Sequence, residues 1–206
     1  MPFKDRFDAG ERLAERLQAY KNKDAVVLAI PRGGLEIGYP IAKTLGIPMD
    51  VALTKKIGHP ANSEYAIGAV SLSGRVVDPG VQVSGDYIEG ETERLRKSLQ
   101  NRYREYRDDR KPEALEGRVA IIVDDGLATG HTMRATIDLV RESRPDKIVV
   151  AVPVAPLEAI QSLREKVDEV VCLETPLFFR AIGQFYQHFE QVSDETARSL
   201  LETANV

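Results

Sequence analysis

Positive charge is not in excess in this chain: 28 lysines and arginines face 32 aspartates and glutamates, for a formal net charge of −4. That balance argues against a nucleic-acid-binding surface as the main business, although it leaves room for a local basic pocket. Cysteine is nearly absent. The single Cys172 excludes an internal disulfide and a cysteine-based metal cluster, and it sits in an apolar run that reads as core. A reducing, cytoplasmic setting is the expectation. No apolar run approaches the length of a membrane span, and the opening MPFKDRFDAGERLAERL is too charged for a signal peptide. Internal repeats and low-complexity tracts are missing. So are a Gly-Lys-Ser/Thr phosphate loop and a G-x-G-x-x-G spacing, which argues against an ATP-binding or dinucleotide-binding doubly wound domain.

What remains is an ordinary globular composition, 43% hydrophobic and 29% charged, at a length of 206 residues that suits one domain. The most informative stretch is VAIIVDDGLATGHT, from Val119 to Thr132. Five apolar, mostly β-branched residues predict a buried strand. Asp124 and Asp125 follow at once. Behind them comes a turn of small and hydroxyl residues, Gly126, Leu127, Ala128, Thr129, Gly130, His131 and Thr132, and then an amphipathic helix. Aspartate at a strand end and Thr-Gly at a helix start are common turn and cap residues. Together they say more. Paired carboxylates accept hydrogen bonds from vicinal hydroxyls such as those of a ribose, and a helix N-terminus with free amides favours a phosphate. The combination describes a site for a ribose 5-phosphate.

A second turn, Pro31-Arg32-Gly33-Gly34, follows an apolar strand over 25–30. It reads as a tight strand-to-helix turn, or as a backbone nest with a guanidinium suited to a pyrophosphate. The remaining pattern predicts helices over 8–20, 36–45 (ended by Gly46), 87 to about 110, 133–143, 156–167 and 193–202, the last capped by Ser193. Strands are expected over 49–54, 68–78, 81–83, 147–153 and 168–173. Residues 55–66 contain Gly58, Pro60 and Asn62 and read as an exposed loop. Strands alternating with helices imply an α/β fold: three layers, α/β/α, around a mainly parallel sheet. Both turns fall at the carboxyl ends of their strands, where such sheets bind ligands.

On these residues the chain resembles the type I phosphoribosyltransferases, whose PRPP-binding motif DDGLATGHT matches (PRPP is 5-phosphoribosyl 1-pyrophosphate). The layout is most similar to stand-alone bacterial members of that family with no assigned acceptor. The resemblance implies a single domain over 1–206, with a core over about 23–173, a mobile loop over about 55–66 and a small C-terminal hood over about 174–190. It implies that Asp124 and Asp125 contact the ribose hydroxyls and that residues 126–132 hold the 5-phosphate. Arg32, Gly33 and Gly34 would bind pyrophosphate, with a cis non-proline peptide near Arg32-Gly33. Lys55 and Lys56, and less directly His59, would reach the departing pyrophosphate. Phe178 or Phe179 would stack on an acceptor base, with Tyr186 nearby. Ala128 stands where some purine enzymes of the family carry a third acid.

The resemblance therefore implies magnesium-dependent transfer of a 5-phosphoribosyl group from PRPP to a nitrogen nucleophile. Magnesium would be held mainly through PRPP, with no protein metal cage. The expected partners are small molecules, with no nucleic acid and no membrane; a homodimer is compatible with this. The alternative is a regulatory protein that senses PRPP or a nucleotide on the same fold.

Overall fold

The computed structural model describes residues 2–108 and 110–204, apart from the side chain of Glu64. Its centre is a five-stranded parallel sheet in the order β2-β1-β6-β7-β8. These strands are β1 (Ala25–Ala29), β2 (Met49–Val51), β6 (Val119–Val123), β7 (Lys147–Val154) and β8 (Glu169–Glu174). Strand alternation splits their side chains between two cores. Val27, Ala29, Ile121 and Val123 face one core, while Val26, Leu28, Ile30 and Ile122 face the other. Burial on both faces is why these strands read as unbroken apolar runs.

The first core is covered by α1 (Arg6–Arg16), α2 (Gly33–Leu45), α3 (Gly85–Arg107) and α6 (Asp194–Ala204). The second is covered by α4 (His131–Arg141) and α5 (Leu157–Arg164). The expected three-layer α/β/α architecture is thus observed. α1 begins at Asp5, whose side chain accepts from the Asp8 amide, and α6 is capped by Ser193, whose Oγ accepts from the Thr196 amide at 3.0 Å. α2 ends where Gly46 adopts φ 65°, a left-handed conformation that suits glycine. Among the described residues, no helix is long and apolar enough to cross a membrane.

The structure corrects the reading of 55–66. This stretch is not an irregular loop. β3 (Lys55–His59) and β4 (Asn62–Val70) form a hairpin, and β5 (Arg75–Val77) completes a three-stranded antiparallel sheet. Pro60 and Ala61 make its turn, and the register shifts on either side of Gly58. A Cβ on Gly58 would lie 2.6 Å from the Ser63 carbonyl oxygen, so glycine permits the bulge. Other differences are smaller. β2 stops at Val51, residues 81–83 form no strand, and α2 starts at Gly33 rather than Glu36. The helix expected over 87–110 ends at Arg107, and Asp109 lies outside the described residues.

Beyond β8 the chain forms a short 3-10 turn over Ile182–Phe185. This segment is fastened to the start of the chain. The Phe3 amide donates to the Phe185 carbonyl at 2.7 Å, Gln187 N donates to Phe3 O at 2.8 Å, and His188 N donates to Lys4 O at 3.0 Å. Phe3 is buried against Tyr186, with ring centroids 5.4 Å apart.

Candidate functional site

β1 and β6 are paired in register, Ala29 opposite Val123, so the two turns that leave their carboxyl ends lie side by side. Their contact is direct. A Cβ on Gly33 would fall 2.0 Å from Asp125 Oδ2, and one on Gly34 would fall 2.9 Å from the Val123 carbonyl oxygen. No other residue type fits at Gly33 without moving the acid. The Pro31–Arg32 peptide is cis, within the turn where the resemblance anticipated such a bond.

The seven residues 126–132 line a recess of about 200 Å³ together with Asp124 and Ile182. Gly126 lies against Ile182 so closely that a Cβ would meet the isoleucine Cγ2 at 2.8 Å. Leu127 N is fixed by the Val154 carbonyl at 2.9 Å, and Gly130, at φ 71°, turns the chain into α4. The first amides of that helix have no carbonyl partner within the helix itself, which is the ordinary condition for anion binding. Arg134, one turn along, donates to Thr129 O at 2.7 Å and to Ser162 Oγ at 3.0 Å, bracing the turn with a cation.

The two acids do not behave as a matched pair. Asp124 faces the recess, and its Oδ1 accepts from the Asp125 amide at 2.8 Å. Burial first, and the neighbouring Asp125 second, push its carboxyl well above the usual carboxylate range. Asp125 turns toward the PRGG turn and accepts from Arg6 Nε at 2.8 Å. Arg6 is buried, stacks 3.8 Å above the Phe189 ring and donates to the Glu190 carbonyl at 2.8 Å. Its Nη1 also lies 3.4 Å from Glu36 Oε2. Desolvation raises the Glu36 carboxyl, and Arg6 offsets part of that.

Arg32 is half-exposed and lies 3.8 Å from Asp194, which also binds Arg102 and accepts from Tyr106 Oη at 3.3 Å. Lys55 and Lys56 are separated by strand alternation. Lys55 shares a face with buried Ile57 and donates to Ser98 Oγ on α3 at 2.7 Å, whereas Lys56 points from the opposite face. His59 Nδ1 accepts from the Ala61 amide at 3.1 Å, a turn contact. In the hood, Phe178 is 87% exposed, while Phe179 stacks on Phe185 at 5.5 Å. Tyr186 is buried and donates to the Asp125 carbonyl at 2.7 Å, so it supports the acids rather than offering a face.

A larger cavity, about 330 Å³, lies at the root of the hairpin among Leu53, Leu72 and Leu139. None of the residues 32–34 or 124–132 lines it, and the chemistry at the strand ends makes the smaller recess the candidate site.

Sequence reasoning missed Arg6, Arg134 and Asp194. Arg6 left a signal. In α1 the buried stripe runs through Ala9, Gly10, Leu13 and Ala14 and on to Leu17, and Arg6 falls in phase with it. A charged residue on an apolar stripe needs a partner, but only the fold names Asp125.

The comparisons with known proteins bear on the family and the fold. The family model for the phosphoribosyl transferase domain matches residues 4–189. Two Mycobacterium tuberculosis proteins, whose names provisionally assign them as phosphoribosyl transferases, are 40% identical over 210 residues, covering 98% of this chain. The chain spans about half of each, 47% of their length. A Thermus thermophilus protein of known crystal structure is 39% identical over the whole of both chains, with a TM-score of 0.88. The fit of the family model from the Arg6 helix through the acid pair to the hood shows that this chain belongs to the phosphoribosyl transferase domain family.

Proposed function

We propose that the protein transfers the 5-phosphoribosyl group of PRPP to a nitrogen nucleophile, a nucleobase in the first instance, with release of pyrophosphate. One observation carries this reading. A recess formed by the turn over 126–132 and the PRGG turn meet on either side of Asp124 and Asp125. PRPP has that same order of groups: 5-phosphate, ribose hydroxyls, pyrophosphate. Asp124 and Asp125 orient the ribose, the α4 N-terminus anchors the 5-phosphate, and Arg32 steadies the leaving pyrophosphate. Charge developing on the ribose during departure is met by the two carboxylates. Phe178 is the ring left open for an acceptor, since Phe179 is already stacked.

Magnesium belongs to the proposal, and the residues fit an ion that arrives on its substrate. Arg6 already engages Asp125, which leaves Asp124 as the acid that faces the recess. Neutralising the leaving pyrophosphate is the chemistry the ion supplies when bound.

The test is pyrophosphate release from PRPP and magnesium against a panel of purine and pyrimidine bases and small amines. Acceptor-dependent release that stops on chelation supports the proposal. Tight PRPP binding with no release for any acceptor replaces it with a sensor, and no PRPP binding at all removes both.

A further inference from the structure

We propose that Arg6 is a positioning residue that holds the Asp125 carboxylate in place for the ribose before any ligand arrives. The inference rests on the ribose reading of the acid pair and concerns a residue that the motif itself does not contain.

Arg6 lies 119 residues from its partner in sequence. Four contacts fix its guanidinium. Nε donates to Asp125 Oδ2 at 2.8 Å, and Nη1 donates to Glu190 O at 2.8 Å and to Glu36 Oε2 at 3.4 Å. The Phe189 ring covers one face at 3.8 Å. The side chains of Arg6 and Asp125 are only 8% and 15% exposed, so water screens the pair weakly. A planar fork held on this many sides leaves Asp125 little freedom to rotate. Two further features keep the acid in that place. Gly33 vacates the space where Oδ2 lies, and Tyr186 donates to the Asp125 carbonyl at 2.7 Å.

Asp125 has a carboxylate neighbour on each side, Asp124 and Glu36, and Arg6 touches both Asp125 and Glu36. Without it, a ligand carrying phosphates would meet uncompensated negative charge. With it, Asp125 is preorganised and the orientation cost falls on the folded protein, not on the binding step. Glu190 and Phe189 belong to the hood, so the same guanidinium joins the acceptor side of the site to the ribose side.

The experiment is calorimetric titration of ribose 5-phosphate and of inorganic pyrophosphate into wild type, R6M, R6K, D125N and R6M/D125N, with melting curves for each. R6M should weaken ribose 5-phosphate by about tenfold or more and leave pyrophosphate within about twofold. R6K, which keeps the charge without the fork, should recover only part of the loss. In the D125N background, R6M should add less than about twofold, because the two residues act as one unit. Parallel loss of both ligands in step with melting temperature overturns the proposal, as does an undiminished R6M effect in the D125N background. If R6M does not fold, R6K and R6K/D125N supply the same comparison. Wild type that binds pyrophosphate but not ribose 5-phosphate sinks the ribose reading and the proposal together, a result distinct from R6M behaving as wild type.

Discussion

Asp124 sets function against stability within one residue. Its carboxyl is pushed well above the usual carboxylate range by burial and by Asp125. A raised carboxyl favours the fold in its protonated form, and that contribution is lost as pH rises through the raised value. Asparagine cannot ionise. D124N should therefore melt close to wild type near about pH 4 and above it near about pH 8. Each tenfold difference in proton affinity between the folded and unfolded chain is worth ~1.4 kcal/mol, and ~1 kcal/mol moves a chain of this size by ~2–4 °C. If Asp124 holds the ribose, D124N should also lose PRPP affinity, since a charge-assisted acceptor is worth ~1.5–3 kcal/mol. A melting difference that stays flat with pH would show that Asp124 does not titrate in the fold. Phe178 makes the opposite kind of prediction. At 87% exposed it supports little of the fold, so F178A should leave the melting curve unchanged. If the ring carries the acceptor base, kcat/KM for the acceptor should drop roughly five- to a hundred-and-fifty-fold, from ~1–3 kcal/mol of stacking.

At the level of elements, the hairpin over 55–70 separates two lysines that stand together in sequence. Lys55 is turned to α3 through Ser98, while Lys56 leaves the other face of the strand. If Lys56 is the lysine that meets the departing pyrophosphate, K56A should lower turnover with PRPP binding within about twofold of wild type. K55A should cost only a few tenths of a kcal/mol in stability, as an exposed polar contact does. Equal losses of turnover in both variants would overturn this division of roles. The hairpin also marks the limit of what the sequence revealed. β6, its two acids and the turn into α4 were legible because strand, carboxylates and helix start are contiguous and each has a local cause. In β3 and β4, Gly58, Pro60 and Asn62 looked like breakers in a local window. They are the bulge and turn of a pairing that only strand-to-strand contacts reveal. The extra turn at the start of α2 was hidden for a related reason. Gly33 and Gly34 have poor helix propensity, and the packing of the strand end against them overrides it.

Across the whole molecule, the beginning of the chain and the segment after the sheet act as one body. Phe3 is buried beneath Tyr186 and pairs with the hood backbone, and three residues later the same segment delivers Arg6. F3A should cost ~3–5 kcal/mol, the usual loss for truncating a buried phenylalanine. It should also expose 174–190 to protease before the central sheet opens. Denaturant unfolding followed by timed proteolysis measures both, and a hood cut no faster than in wild type would place the hood's stability elsewhere. None of this long-range fastening was readable from periodicity, because its partners lie more than 180 residues apart, as in the Arg6 contact with Glu190.

The empty space at Gly33 has a consequence for anyone who would move this site to another scaffold. The fourteen residues from Val119 to Thr132 look like a cassette, yet one of their acids is housed by a vacancy in a different turn and steered by a side chain from ahead of β1. Grafted alone onto a host sheet of the same topology, the cassette would carry its recess but leave Asp125 unsupported. The smallest portable unit is discontinuous. It takes the opening segment through the PRGG turn, the acidic turn, and the hood residues 186–190, and inheritance or design must carry all three at once.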